Sequence, residues 1–229
     1  MSRVAIITAR GGSKRIPRKN IKEFCGKPII AYSIEAALES GLFEEVMVST
    51  EDEEIAEIAK KYGAKVPFMR SDETAGDHTA TVDVILEVLR DYKERGQEFD
   101  TACCIYPTAP FVTAEKLIKA QKKLEEMSAD ALVPVVRFSF PPQRCFIIEE
   151  EMLRYKWKEN EFKRSQDLEP FYHDAGQFYI LKTETVFEKH TLVPENTIPF
   201  VLDEMEVQDI DNYEDWKIAE VKYERMSHS

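Results

Sequence analysis

An α/β fold on a mostly parallel sheet is predicted by three observations. Short apolar runs alternate with amphipathic segments of helical period as far as Val136. The runs are apolar at nearly every position, as strands covered by helices on both faces must be. At 229 residues the chain buries roughly 70% of its unfolded surface and needs no disulfide or metal staple. It reads as a single domain, 1–229.

The first strand is predicted at 4–9, where Val4-Ala5-Ile6-Ile7 leads. A helix follows over 28–39: Pro28 suits its first turn, Ile30, Ile34, Ala37 and Leu38 share a face, and Gly41 ends it. Next come a strand at 46–49 and a helix at 52–62, with Ile55, Ile58, Ala59 and Tyr62 on one side and Gly63 as the stop. A third strand is predicted at 65–69. The helix at 79–95 turns Val82, Ile85, Leu86, Leu89 and Tyr92 inward. A fourth strand covers 101–106, a helix capped by Thr113 covers 113–127, and a fifth strand covers 131–136. Ligands of such sheets bind at the carboxyl ends of the strands. The loops after Ala9, Ser49, Met69, Tyr106 and Val136 are therefore the ones to search.

The alternation stops at Arg137. The chain has 13 Phe, 9 Tyr and 2 Trp, and ten of these lie between Phe138 and Tyr179. Rings at that density need a covering surface, and residues 138–171 are expected to form an inserted arm that joins a homodimer. Sheet-like segments return at 177–181 and 200–202, and a helix runs over 213–225.

Lys and Arg number 31 against 43 Asp and Glu, a net charge of −12, with a pI near 5.0. That excludes a general nucleic-acid or anionic-membrane binder, since both need a basic footprint. No apolar run approaches the roughly 18 residues of a membrane span, and the first is too short for a signal-peptide core. Cys25, Cys103, Cys104 and Cys145 have no CxxC spacing. Reduced thiols in a cytoplasmic protein are expected.

Against this acidic background, residues 10–22 hold six cations and no acid: Arg10, Lys14, Arg15, Arg18, Lys19 and Lys22. Gly11 and Gly12 let the backbone turn and aim N–H groups into a pocket. Arg10, Lys14 and Lys19 offer fixed positive charge to a polyphosphate. The loop is neither a G-x-x-x-x-G-K-[ST] phosphate loop nor a G-x-G-x-x-G fingerprint. Far along the chain, Asp209 and Asp211 stand two apart, so that both carboxylates point to one face. Two hard oxygen ligands suit a magnesium ion shared with phosphates. A competing reading makes Asp211 and Glu214 a capping box for the last helix. His78, His190 and His228 read as loop or surface residues.

The run from Ala9 to Ile21, A-R-G-G-S-K-R-I-P-R-K-N-I, resembles the N-terminal signature of the CMP-sialic acid synthetase (acylneuraminate cytidylyltransferase) family. Gly26-Lys27-Pro28-Ile29-Ile30, Arg70-Ser71-Asp72, Pro107-Thr108-Ala109-Pro110, Gly176-Gln177-Phe178-Tyr179 and Asp209-Ile210-Asp211 extend the resemblance over most of the chain. It implies a nucleotidyltransferase, Rossmann-like sheet and a dimerising insertion. It also implies transfer of CMP from CTP to the anomeric hydroxyl of a nine-carbon acidic sugar, with release of pyrophosphate. The residues it implies for CTP are Arg10, Gly11, Gly12, Ser13, Lys14, Lys19, Asn20, Arg70 and Thr81, the last two against the cytosine. Catalysis falls to Arg10, Lys19 and Asp211, and Mg2+ to Asp209 and Asp211. Tyr106, Arg164, Gln166, His173, Gln177 and Tyr179 fall to the sugar.

Three departures narrow the sugar. Tyr106 stands where the family commonly has Gln. Ser165, not Arg, precedes Gln166. Tyr172-His173-Asp174-Ala175 replaces a stretch with Arg and Asn before the glycine. The run from His173 to Tyr179 instead resembles the pseudaminic acid branch of the family. Two other readings stay open: activation of a different sugar acid (N-acetylneuraminic, legionaminic or Kdo type), and a non-catalytic nucleotide-binding protein on the same fold.

Overall fold

The computed structural model describes residues 1–76 and 79–227, so His78 and His228 lie outside the described residues. In chain order the elements are β1 (Arg3–Thr8), β2 (Glu23–Phe24), β3 (Lys27–Pro28), α1 (Ile29–Ser40), β4 (Glu45–Ser49), α2 (Glu53–Lys61), α3 (Thr81–Glu94), β5 (Thr101–Ile105) and α4 (Ala114–Glu126). They continue with β6 (Ala131–Arg137), β7 (Phe146–Glu149), β8 (Met152–Tyr155), β9 (Tyr172–Asp174), β10 (Phe178–Lys182), α5 (Thr183–Lys189), β11 (Thr197–Leu202) and α6 (Tyr213–Ser227).

The central sheet runs β11-β6-β10-β5-β1-β4, with β9 also paired to β6. β1 is parallel to β4 and β5, and β11 to β6. β10 is antiparallel to both its neighbours, and β9 is antiparallel to β6; the other pairings of this sheet are parallel. Alternate residues of β1 face opposite ways. Ala5 and Ile7 pack under α1, α2 and α4, beside Ile34, Ile55 and Leu117. Val4 and Ile6 pack under α3 and α5, beside Ile85, Leu89 and Val186. Each fully buried Ile or Leu contributes about 1.5–3 kcal/mol, which explains why the strands read as unbroken apolar runs.

Helix ends follow local chemistry. Asp52 caps α2 by accepting from the Ile55 N–H at 3.0 Å, and Thr113 caps α4 through the Lys116 N–H at 3.3 Å. Gly41 closes α1 at φ 61°, a left-handed conformation that glycine adopts without strain.

The strand expected at 65–69 is not formed. Only a parallel bridge between Met47 and Lys65 is present. Pro67 has no N–H to continue a ladder, and Phe68 turns away to pack edge-on against Tyr92, with ring centroids 5.2 Å apart. Conversely, α5 and β9 had no sequence signal, being too short to show a period.

Residues 138–171 leave the sheet after β6 and rejoin it at β9, where the Phe138 N–H bonds to the Phe171 carbonyl. The excursion carries the β7–β8 hairpin and little core of its own. Phe140 is 88% exposed, Phe162 92% and Ile148 76%. A lone two-stranded hairpin is marginal in water.

Candidate functional site

Parallel β1, β4 and β5 end at one edge of the sheet. There the loops after Thr8 and Ile105 converge over a cavity of about 480 Å³, and the loop after Ser49 braces the first of them through Glu51. The basic loop folds over this edge because Ile16 drops into a small core with Phe24, Phe111, Ile210 and Trp216. That core also fixes the segment carrying Asp209 and Asp211. Ile16 and Ile210 therefore bring together two motifs that lie almost two hundred residues apart.

Of the six cations, Arg10, Lys14, Arg15 and Lys19 line the cavity, together with Gly12, Ser13 and Asn20. Arg18 and Lys22 do not. Arg18, in the left-handed region at φ 56°, pairs with Asp52 at 2.5 Å and with Glu54. The Arg18 hydrogen bond holds the Asp52 carboxyl at about 2. Lys22 lies 5.8 Å from the Trp216 ring centroid, against α6.

The two glycines part company. Gly12 lines the cavity, but the Gly11 N–H is bonded to Glu51 Oε1 at 2.7 Å and is not aimed at a ligand. Gly11 is small because a Cβ there would sit 2.3 Å from Asp52 Oδ2. Glu51 was not read from the sequence; its place after Ser49-Thr50 in a loop marked for search is the signal that could have found it.

Lys19 Nζ donates to the Ile210 carbonyl at 2.6 Å, tying the basic loop to the carboxylate pair. Burial lowers the Lys19 pKa against the pull of Asp211 and Asp209. Asn20 Nδ2 donates to the Arg10 carbonyl at 2.8 Å, which braces the loop. Asp209 and Asp211 both open on the cavity. Burial raises the Asp209 pKa, and the neighbouring Asp211 charge raises it further.

Asp211 is not the helix cap. The cap is Asn212, whose Oδ1 accepts from the Glu214 and Asp215 N–H groups at 2.8 and 3.0 Å, while Asp215 accepts from the Asp211 N–H. The Asp211 carboxylate is left facing the cavity, where Arg15 donates to it at 2.6 Å. These donors fit a hard divalent cation. The two carboxylates face one cavity, and a further shell of substrate oxygens and water is what magnesium ordinarily takes. Among the described residues no group of three or more His, Cys, Asp and Glu could hold a metal without such a shell.

Arg70 and Thr81 stand on the far wall with Thr74, Gly76, Thr79, Pro107 and Thr108. The Arg70 side chain is buried and donates to Ser49 Oγ and the Ser49 carbonyl at 3.0 and 2.6 Å. Burial lowers its pKa. Pro107 and Thr108 belong to a run already matched in the sequence, whereas Thr8 carries no motif by itself and becomes a site residue only through its place at the end of β1.

A second cavity of about 530 Å³ adjoins the first, and Tyr106 and Asp209 line both. Its wall includes Val136, His173, Asp174, Ala175, Gly176, Glu204, Val207, Gln208 and Lys222. His173 rests on Phe138 at 4.8 Å. Gln177 and Tyr179, read from the sequence as sugar contacts, are buried behind this wall. Gln177 Nε2 donates to the Glu206 carbonyl at 2.6 Å. The Tyr179 hydroxyl donates to Asp174. Arg164 and Gln166 sit on the arm, away from both cavities of their own chain, and Arg164 pairs with Asp167 at 2.9 Å. Their spacing in the sequence says which segment carries them, not which site they approach.

The comparisons agree with this geometry. A family model described as cytidylyltransferase matches residues 4–225. A pseudaminic acid cytidylyltransferase of Campylobacter jejuni serotype O:2 is 41% identical over 229 residues, 100% of this chain and 98% of that protein. A CMP-N,N'-diacetyllegionaminic acid synthase of Legionella pneumophila is 34% identical over 95% of this chain and 94% of its own. Among solved structures, a CMP:2-keto-3-deoxy-manno-octonic acid synthetase complexed with CTP superposes with a TM-score of 0.70 over 100% of both chains. At 16% identity that likeness establishes the fold alone. From the full-length match and the cavity built by its own motifs, the chain belongs to the cytidylyltransferase family.

Proposed function

We propose that the protein transfers CMP from CTP to the anomeric hydroxyl of pseudaminic acid. The observation that carries this reading is a pair of adjoining cavities that share Tyr106 and Asp209, one lined by five cations and two carboxylates. The sugar oxygen forms a bond to the α-phosphorus, the bond from that phosphorus to the bridging oxygen breaks, the hydroxyl proton is lost and pyrophosphate leaves. Arg10, Lys14 and Lys19 hold the triphosphate and stabilise charge growing on the leaving group. Asn20 and Gly11 keep the loop in shape through Arg10 and Glu51. Asp209 and Asp211 hold Mg2+, which when bound polarises phosphate oxygens as a Lewis acid. The setting is a reducing cytoplasm: Cys103 and Cys104 are buried free thiols, with burial pushing Cys104 up to about 12. Among the described residues no helix is long and apolar enough to cross a membrane.

The test is competition between pseudaminic and N-acetylneuraminic acids with CTP and magnesium, read as pyrophosphate release. The expected outcome is a kcat/KM ratio of about 10² or more in favour of pseudaminic acid. A ratio near one, or the reverse preference, discards the sugar assignment.

The reading includes a homodimer joined through residues 138–171. The exposed rings of that arm support it, as does the second cavity's lack of an uncommitted lysine: Lys222 Nζ is already bonded to the Glu204 and Val207 carbonyls. Arg164 of the partner subunit would then supply the charge for the sugar carboxylate. Sedimentation at micromolar concentration should give a dimer, and Phe140→Ser with Phe162→Ser should weaken it. A fully active monomer rules the arrangement out.

A further inference from the structure

Tyr106 stands between the two cavities, and a chain of contacts runs from it to the second one. On the nucleotide side, Thr81 Oγ1 lies 3.2 Å from its phenolic oxygen. Its ring tilts against that of Tyr179, with centroids 5.5 Å apart. Tyr179 is buried and donates from its hydroxyl to Asp174 Oδ2 at 2.7 Å. The other oxygen, Asp174 Oδ1, accepts from the Gly176 N–H, also at 2.7 Å. Asp174 lines the second cavity with both oxygens anchored by neutral donors, and each oxygen keeps a lone pair for a further donor. Val136, Ala175 and Val207 pack together in the same wall. An anchored acceptor beside apolar side chains is complementary to an acylamino group, which sets an N–H donor next to a methyl.

We propose that Asp174 is a specificity-determining residue: its carboxylate accepts the N–H of an acylamino substituent of the sugar, and Tyr179 is the positioning residue that aims it. The inference rests on the second cavity being the sugar site. An acceptor held by two internal hydrogen bonds loses little freedom when it meets its donor, and a site built around that bond rejects a ligand lacking it.

Steady-state kinetics with pseudaminic acid and CTP decide the matter on wild type, Asp174→Asn and Tyr179→Phe, each checked by thermal unfolding. Loss of the charged acceptor should raise the sugar KM by about 10- to 100-fold in Asp174→Asn. Tyr179→Phe should raise it by about 5- to 10-fold. The KM for CTP should stay within about twofold in both, a split that a merely structural role would not produce. If Tyr179→Phe fails to fold, Asp174→Asn alone carries the decision, since its side chain lies at the cavity and not in the core. An unchanged sugar KM in Asp174→Asn, or equal shifts for sugar and CTP, overturns the proposal and leaves the proposed reaction standing. A wild-type protein that releases no pyrophosphate with pseudaminic acid overturns the reaction itself, and the role of Asp174 with it.

Discussion

Asp211→Asn is expected to lower pyrophosphate release from CTP by about 10³-fold or more, and Asp209→Asn to do nearly the same. Each substitution replaces by a neutral amide one of the two carboxylates that line the cavity and that the proposed function gives to Mg2+. The fold should survive. The start of α6 is capped by Asn212 and braced by Asp215, so no helix cap is lost. The Arg15–Asp211 ion pair is largely exposed and contributes ~0–1 kcal/mol. Magnesium titration of both variants, alongside thermal unfolding, separates the outcomes. Turnover close to wild type at ordinary magnesium in a folded Asp211→Asn protein refutes the metal role.

Arg10→Ala is expected to cost about 100-fold in turnover, because it removes a cavity-lining charge that the proposed function sets against the departing pyrophosphate. The loop should keep its shape, since Asn20 grips the backbone carbonyl of residue 10 and Ile16 anchors the loop in the core beneath α6. The comparison with Arg18→Ala is informative. Arg18 belongs to the same cluster of cations, but it faces Asp52 and Glu54 instead of the cavity. Its loss should appear mainly in stability and loop order. Equal kinetic losses in the two variants would mean that the cluster acts only through its net charge, which contradicts the roles drawn here.

Much of this was legible in the chain. Apolar runs such as Val4-Ala5-Ile6-Ile7 announce buried strands, because a strand covered on both faces has no polar side to show. Caps at Asp52 and Thr113 and stops at Gly41 and Gly63 set helix ends, because those ends depend on the nearest few residues. The basic loop stood out because six cations without an acid are costly to gather in a chain of net charge −12 unless something anionic meets them.

What the tertiary structure decided depends on partners distant in sequence. Whether Asp211 caps a helix or faces a cavity turned on Asn212 taking the cap and on Ile210 docking beside Ile16. Whether Gly11 offers its N–H to a ligand turned on Glu51, forty residues away, reaching it first. Whether the Tyr179 ring stands open or is buried with its hydroxyl on Asp174 turned on the reversal of β10 between β5 and β6, which buries the ring and leaves Asp174 at the wall. Local pattern records which face of an element is apolar and where the chain turns. It carries no record of which donor finds which acceptor once parallel strands have gathered their loops at one edge, because those bonds exist only after long-range packing has set the distances.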